Sequence, residues 1–138
     1  MTVQDYLLRP ELIRQEIRRK QERIESLHRY TTRLSAVLRD VRVKSTPDPA
    51  YVQAILAEIA DEEQAILRLQ EDLTRAMADV ALYISRLPAA YVTLLEVRYL
   101  DGLTWPQVMD RLGYSRTSVY RIHRQALDLL PPPPEDAA

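Results

Sequence analysis

Apolar residues recur every seven positions along the first half of the chain. Between Glu11 and about Val43, Ile17, Ile24 and Leu38 fall on one line and Ile13, Leu27, Leu34 and Val41 on the neighbouring one, which is coiled-coil spacing. Lys20 and Thr31 interrupt this seam, and such polar positions cost stability while restricting register. Pro10 is expected in the first helical turn, where its missing N–H is harmless. Lys44–Pro49, reading KSTPDP, sets two prolines among turn formers and must end the helix. A second heptad then runs through Val52, Ile59, Ile66, Leu73, Val80 and Leu87, accompanied by Ile55, Leu69, Ala76 and Tyr83. At ~1.5 Å per residue the first arm would extend roughly 50 Å and the second roughly 55 Å. Two matched helices, about 11–43 and 50–87, joined by a short connector predict an antiparallel hairpin over residues 1–87. Leu56, Leu67, Met77 and Ile84 lie off the main line and are read as a face through which the hairpin could pair with a second copy, since helical hairpins commonly double into bundles.

The pattern shortens after Leu87. Pro88 suits a first helical turn and marks a domain boundary. Pro88–Leu100 carries Val92, Leu95, Tyr99 and Leu100 at spacings that cover a small helical core, with Leu94 and Val97 broadening that face. Asp101 and Gly102 end this helix, Gly102 by accepting a positive φ. Thr104 and Gln107 have the spacing of a capping box, and Pro106 fits the first turn that follows. Trp105, Val108, Met109 and Leu112 supply the inward face of a helix of about two turns, which Gly113 closes. Ser115 caps a last helix running to about Leu130, with Val119, Ile122, Ala126 and Leu130 facing inward. Pro131–Pro134 stop it, and residues 131–138 are expected to be a disordered, proline-rich tail. The fold expected is all-α: a long hairpin followed by a three-helix unit over residues 88–130.

Composition sharpens this reading. There are only two glycines in 138 residues and no phenylalanine, which is unusual for a compact mixed fold. Both glycines sit at the turns that flank the Thr104–Leu112 helix, so backbone freedom is concentrated where the chain must change direction. The absence of cysteine excludes disulfides and thiolate metal sites. His28 and His123 have no partner at metal-ligand spacing. With no phosphate-binding glycine loop and no cofactor motif either, neither catalysis nor a cofactor is expected. Glu62 and Glu63 are adjacent on a helix and point about 100° apart, as solvated surface rather than an acid–base pair. The amino terminus MTVQDYLLRPELIRQ lacks a signal-peptide core, and no window approaches the roughly 18 apolar residues of a membrane span. A soluble cytoplasmic protein without membrane contact is expected.

Net charge is −1 but strongly partitioned. Residues 1–44 hold 11 basic and 6 acidic side chains, residues 45–87 hold 3 and 8, and residues 88–138 hold 5 and 6. The two arms of the hairpin would therefore attract each other, although any single exposed pair contributes little. Arg111, Arg116, Arg121 and Arg124 put four positive charges into fourteen residues around the Gly113–Tyr114–Ser115 turn. Helix, sharp turn and arginine-bearing helix is the arrangement of a helix-turn-helix, whose second helix enters the major groove of double-stranded DNA. Arg116, Thr117, Ser118, Tyr120 and Arg121 are the candidates for base edges, Arg111 and Arg124 suit phosphate, and the capping Ser115 is counted with them among the DNA-binding residues. Trp105 is read as core and His123 as a satisfied core or edge histidine; Tyr120 could pack or stack on the DNA backbone.

Residues 87–130 resemble region 4 of bacterial sigma factors in their LP start, the RYLDGLT turn and the GYS that precedes the reading helix. With the heptad arms in front, the whole chain resembles the phage late-transcription regulators of the RinA and ArpU type, in which GYSR-x-x-VYR-x-H recurs. The resemblance implies a sequence-specific activator of phage or prophage late genes, acting with RNA polymerase in the bacterial host cytoplasm. It also implies that Arg116, Thr117, Ser118, Tyr120 and Arg121 occupy the base-facing part of the reading helix, with Arg124 at phosphate. Met109 stands where the family has a small residue, often alanine, which would alter the angle or spacing of the two helices. Two other functions remain compatible with the residues: a small terminase subunit, which combines a helix-turn-helix with oligomerising helices, and a sigma-like module that binds protein only.

Overall fold

The computed structural model describes residues 1–39 and 49–134, and in them the chain is all-α. Its helices are α1 (Val3–Arg39), α2 (Pro49–Ile84), α3 (Ala89–Leu95, continued by a π-wound turn over Glu96–Leu100), α4 (Trp105–Leu112) and α5 (Arg116–Leu129). Most of the expected connector at Lys44–Pro49, the helix expected beyond Arg39, the side chains of Leu38 and Val41 and the tail residues Glu135–Ala138 lie outside the described residues.

Local signals explain most helix ends, and one corrects the expected start of α1. The helix begins at Val3, eight residues before Glu11. Thr2 and Asp5 form a reciprocal cap: the Asp5 N–H donates to Thr2 Oγ1 and the Thr2 N–H to Asp5 Oδ2, each at 3.1 Å. Two otherwise orphaned donors are thereby satisfied. Pro10 consequently lies inside α1, not in its first turn, and is buried. The N–H it lacks is the one that would meet the Tyr6 carbonyl. The helix continues because Tyr6 and Leu7, one turn earlier, are held in a buried core, where tertiary packing outweighs local propensity.

Residues Arg14–Glu71 form one compact unit. Its core is small: Leu27, Ile55 and Ile59 are buried, with Ile24 and Leu34 packed around them. The helices run antiparallel, since Lys20 pairs with Glu62 at 3.2 Å and Arg23 with Glu58, while Tyr30 meets Tyr51 edge-on further along. The charge partition is thus realised as ion pairs between the basic and acidic helices. Lys20, an interruption of the seam, is one of these pairs. Thr31, the other, bonds back to the Leu27 carbonyl at 2.9 Å, as mid-helix threonines often do.

The second compact unit contains Met1–Ile13 and Asp72–Ala138. The helix-turn-helix therefore belongs to a body larger than residues 88–130. One buried cluster joins Tyr6 and Leu7 of α1, Val80 and Ile84 of α2, Leu95 and Tyr99 of the third helical segment, and Ala126 and Leu130 at the end of α5. A second cluster, Leu94, Val97, Val108 and Val119, holds α3, α4 and α5 together, with Leu103, Trp105, Met109, Leu112 and Ile122 around it. Leu94 and Val97, expected only to broaden a face, are central because α3 is buried on two sides. Ile84 is fully buried in the first cluster, so it is core and not part of an intermolecular face. Met77 is half-buried, whereas Leu56 and Leu67 remain exposed. Arg9 and Asp79 flank this unit at 3.7 Å. Tyr83 donates its hydroxyl proton to the Pro131 carbonyl, which ties the first of the four prolines to α2.

Candidate nucleic-acid interface

The third segment closes in an unusual way. The Asp101 N–H bonds to the Glu96 carbonyl at 2.8 Å and the Leu103 N–H to the Val97 carbonyl at 3.2 Å. These bonds reach five and six residues back, each one residue wider than an α-helical end permits. Gly102, at φ 73°, turns the chain after them. The Arg98 guanidinium donates to the Leu103 carbonyl at 3.0 Å, and the chain enters α4.

Both helices of the motif are capped as their residues dictate. Thr104 and Gln107 form the reciprocal box, with the Thr104 N–H donating to Gln107 Oε1 at 2.9 Å and the Gln107 N–H to Thr104 Oγ1 at 3.4 Å. Gly113 ends α4 at φ 70°, ψ 23°, its N–H bonded to the Met109 carbonyl. Ser115 accepts the Ser118 N–H at 3.2 Å and donates its own proton to the Ser118 hydroxyl at 3.0 Å. The start of α5, and with it the placement of Arg116, is fixed by these two bonds.

At about 100° per residue, Arg116, Thr117, Tyr120, Arg121 and Arg124 share one exposed arc of α5, bordered by the buried side that carries Val119, His123 and Ala126. Arg111 is exposed in the last turn of α4 and Ser115 in the turn itself. Ser118 differs: it is half-buried, off the arc, and its hydroxyl is engaged by Ser115. Met109 is half-buried and packs beneath the motif with Val108 and Leu112.

A layer of rings lies under the exposed arc. Tyr120 rests on Trp105 with centroids 5.5 Å apart, and Trp105 meets His123 edge-on at 4.6 Å. His123 is buried and shares a 2.7 Å hydrogen bond with the Tyr99 hydroxyl. Burial and, second, the nearby Arg98 charge hold the His123 imidazole down at about 4, while burial pushes the Tyr99 phenol up. Both groups are therefore neutral near pH 7, and His123 is a satisfied core residue. Arg98 spans Tyr99 and Trp105, 5.5 and 5.1 Å from their ring centroids. Nothing local in the sequence marks Arg98 for this role, because its partners arrive from either side of the Gly102 turn. Arg116 lies 5.7 Å from the Tyr120 ring.

Among the described residues no group of three or more histidines and carboxylates could hold a metal ion, and no helix is long and apolar enough to cross a membrane. The arrangement offers instead a convex cationic helix face with planar and hydroxyl donors, suited to a polyanion with hydrogen-bonding edges.

The chain is 32% identical over 71 residues to the RNA polymerase sigma factor SigO of Bacillus subtilis (strain 168), a match covering 50% of this chain and 40% of that protein. The chain thus spans less than half the length of that relative. No solved structure matches. The model of one family, described as Protein of unknown function (DUF1492), matches residues 33–131, and the chain, most of whose length that match covers, belongs to this family.

Proposed function

We propose that this chain is a sequence-specific DNA-binding transcription regulator that acts by binding, not by catalysis. The observation that carries the reading is the exposed arc of Arg116, Thr117, Tyr120, Arg121 and Arg124 on a helix that follows a left-handed glycine turn. That is the face a reading helix presents to the major groove. The likeness to a sigma factor supports the same reading, in which bacterial RNA polymerase is the partner at the promoter. The resemblance of the sequence to the RinA and ArpU type supports a role in activating phage or prophage late genes in the host cytoplasm. The Arg14–Glu71 unit serves this role as a contact for polymerase or for a second copy, through a surface on which Leu56 and Leu67 stay 42% and 53% exposed.

Base-reading and phosphate-holding arginines have different signatures. Arg121→Ala is expected to relax base preference and cost about 1–3 kcal/mol on the preferred site, while Arg124→Ala weakens all duplexes alike and reduces the salt slope by about 1. Titration of labelled duplexes from the protein's own genomic neighbourhood, at several salt concentrations, measures both. Absence of salt-dependent binding to any duplex would exclude the DNA reading.

A further inference from the structure

Tyr120 stands in the middle of the exposed arc, yet its ring is already engaged, tilted against Trp105 and lying under the Arg116 guanidinium. We propose that Tyr120 is a positioning residue that holds the Arg116 guanidinium ready for one base pair, and does not itself read DNA. The inference rests on the DNA-binding reading given above.

The geometry follows from helical spacing. Arg116 is the first residue of α5 and Tyr120 lies four positions on, so the two side chains are neighbours on one helix face. Side chains on a helix lean toward its N-terminus, which brings the Tyr120 ring back over Arg116. The observed separation from guanidinium carbon to ring centroid is 5.7 Å, within cation–π range. Trp105 supports the ring at 5.5 Å and is itself held by His123 and Arg98. Beneath these, the buried Tyr99–His123 hydrogen bond anchors the layer to the core.

The chemistry makes such a platform useful. A guanidinium uses its face to stack and its edge to donate, so stacking on Tyr120 leaves the paired N–H groups available for guanine O6 and N7. A free arginine at the first turn of a helix would sample many rotamers and lose that freedom on binding. Stacking removes part of this loss before DNA arrives. Lysine, a point charge without a planar edge, cannot use the platform in this way.

The test uses the full chain and the duplex that the wild-type protein selects from a random-sequence pool, together with single-base-pair variants of that duplex. Tyr120→Leu is expected to lower discrimination about three- to tenfold at one base pair with an unchanged salt slope, because no phosphate contact is removed. Arg116→Lys should lose discrimination at that same base pair, and the double variant should be no worse than Arg116→Lys alone. Tyr120→Phe, which keeps the ring, should behave as wild type. In the free protein, the ring-current shift of the Arg116 Nε–H signal should persist in Tyr120→Phe and vanish in Tyr120→Leu, a readout that is independent of DNA. Loss at a different base pair from Arg116→Lys would make Tyr120 a reader in its own right and overturn the proposal. So would a uniform loss of affinity in Tyr120→Phe, which would place the hydroxyl on phosphate. Unchanged discrimination in Tyr120→Leu overturns the stack alone, whereas failure of the wild type to select any duplex overturns the DNA reading and the stack with it.

Discussion

At the scale of single residues, the candidate interface is built on a neutral histidine. His123 titrates at about 4 in the folded protein against an ordinary 6.5, chiefly because it is buried and secondarily because Arg98 is near. The folded value is depressed, so below pH 6.5 the unfolded chain takes up a proton that the folded chain does not, and stability falls as pH drops toward 4. Between pH 7 and 5 the expected loss is about 2 kcal/mol, read as a shift in urea midpoint across that range. His123→Gln should flatten the dependence above pH 5, where few carboxylates titrate; an unaltered slope would show that His123 is not its source. The placement of this histidine was legible in the sequence, since position 123 lies four residues after Val119 and three before Ala126 on the inward side of α5. The identity of its partner was not, because Tyr99 is 24 residues away and reaches it only through the fold. Ser118 shows the reverse case. Its expected place on the reading face came from its position in the first turns of the second helix, whereas its hydroxyl is bonded to the Ser115 hydroxyl beside it.

At the scale of elements, the ends of α4 and α5 were readable because caps are local. Thr104 with Gln107, Gly113, and Ser115 all do what their side chains or lack of one dictate within three or four residues. Gly113 is the sharpest instance: it sits at φ 70°, and a Cβ built there meets nothing within 4 Å. Gly113→Ala should therefore cost about 1–2 kcal/mol through backbone strain alone, with Gly113→Asn costing less because asparagine tolerates the left-handed region. Thermal unfolding of the two variants checks this order, and a larger loss in Asn than in Ala would mean that space, not φ, is limiting. The first element was readable in principle too. Thr2 and Asp5 carry a capping signal, but the heptad begins later, and the seam drew the expected start to Glu11. The π-wound turn over Glu96–Leu100 had no such signal. Its wide closing bonds depend on how Val97 and Tyr99 are buried in two different clusters, which no window of sequence contains.

At the scale of the molecule, the helices of the candidate interface share a core with the ends of the two long helices. Tyr6, Leu7, Val80 and Ile84 pack in one cluster with Leu95, Tyr99, Ala126 and Leu130, so that the unit carrying the candidate interface is assembled from both ends of the chain. Ile84→Ala, at a fully buried position, should cost about 2–5 kcal/mol and lower the hydrogen-exchange protection of α5 amides together with those of α2. Protection of α5 left untouched would show that residues 88–130 fold on their own. The sequence alone determined the all-α class, the antiparallel pairing of a basic and an acidic helix, and the capped helix-turn-helix with its arginine arc. Each of these depends on periodicity, on charge summed along a helix, or on caps that act within one turn. Only the tertiary structure decided that Ile84 is core rather than surface, that the first turns of α1 belong with the unit carrying the candidate interface, and that Tyr120 contacts both Trp105 and Arg116. Those outcomes depend on which apolar faces meet, and burial is a property of the assembled neighbours, not of the residue that is buried.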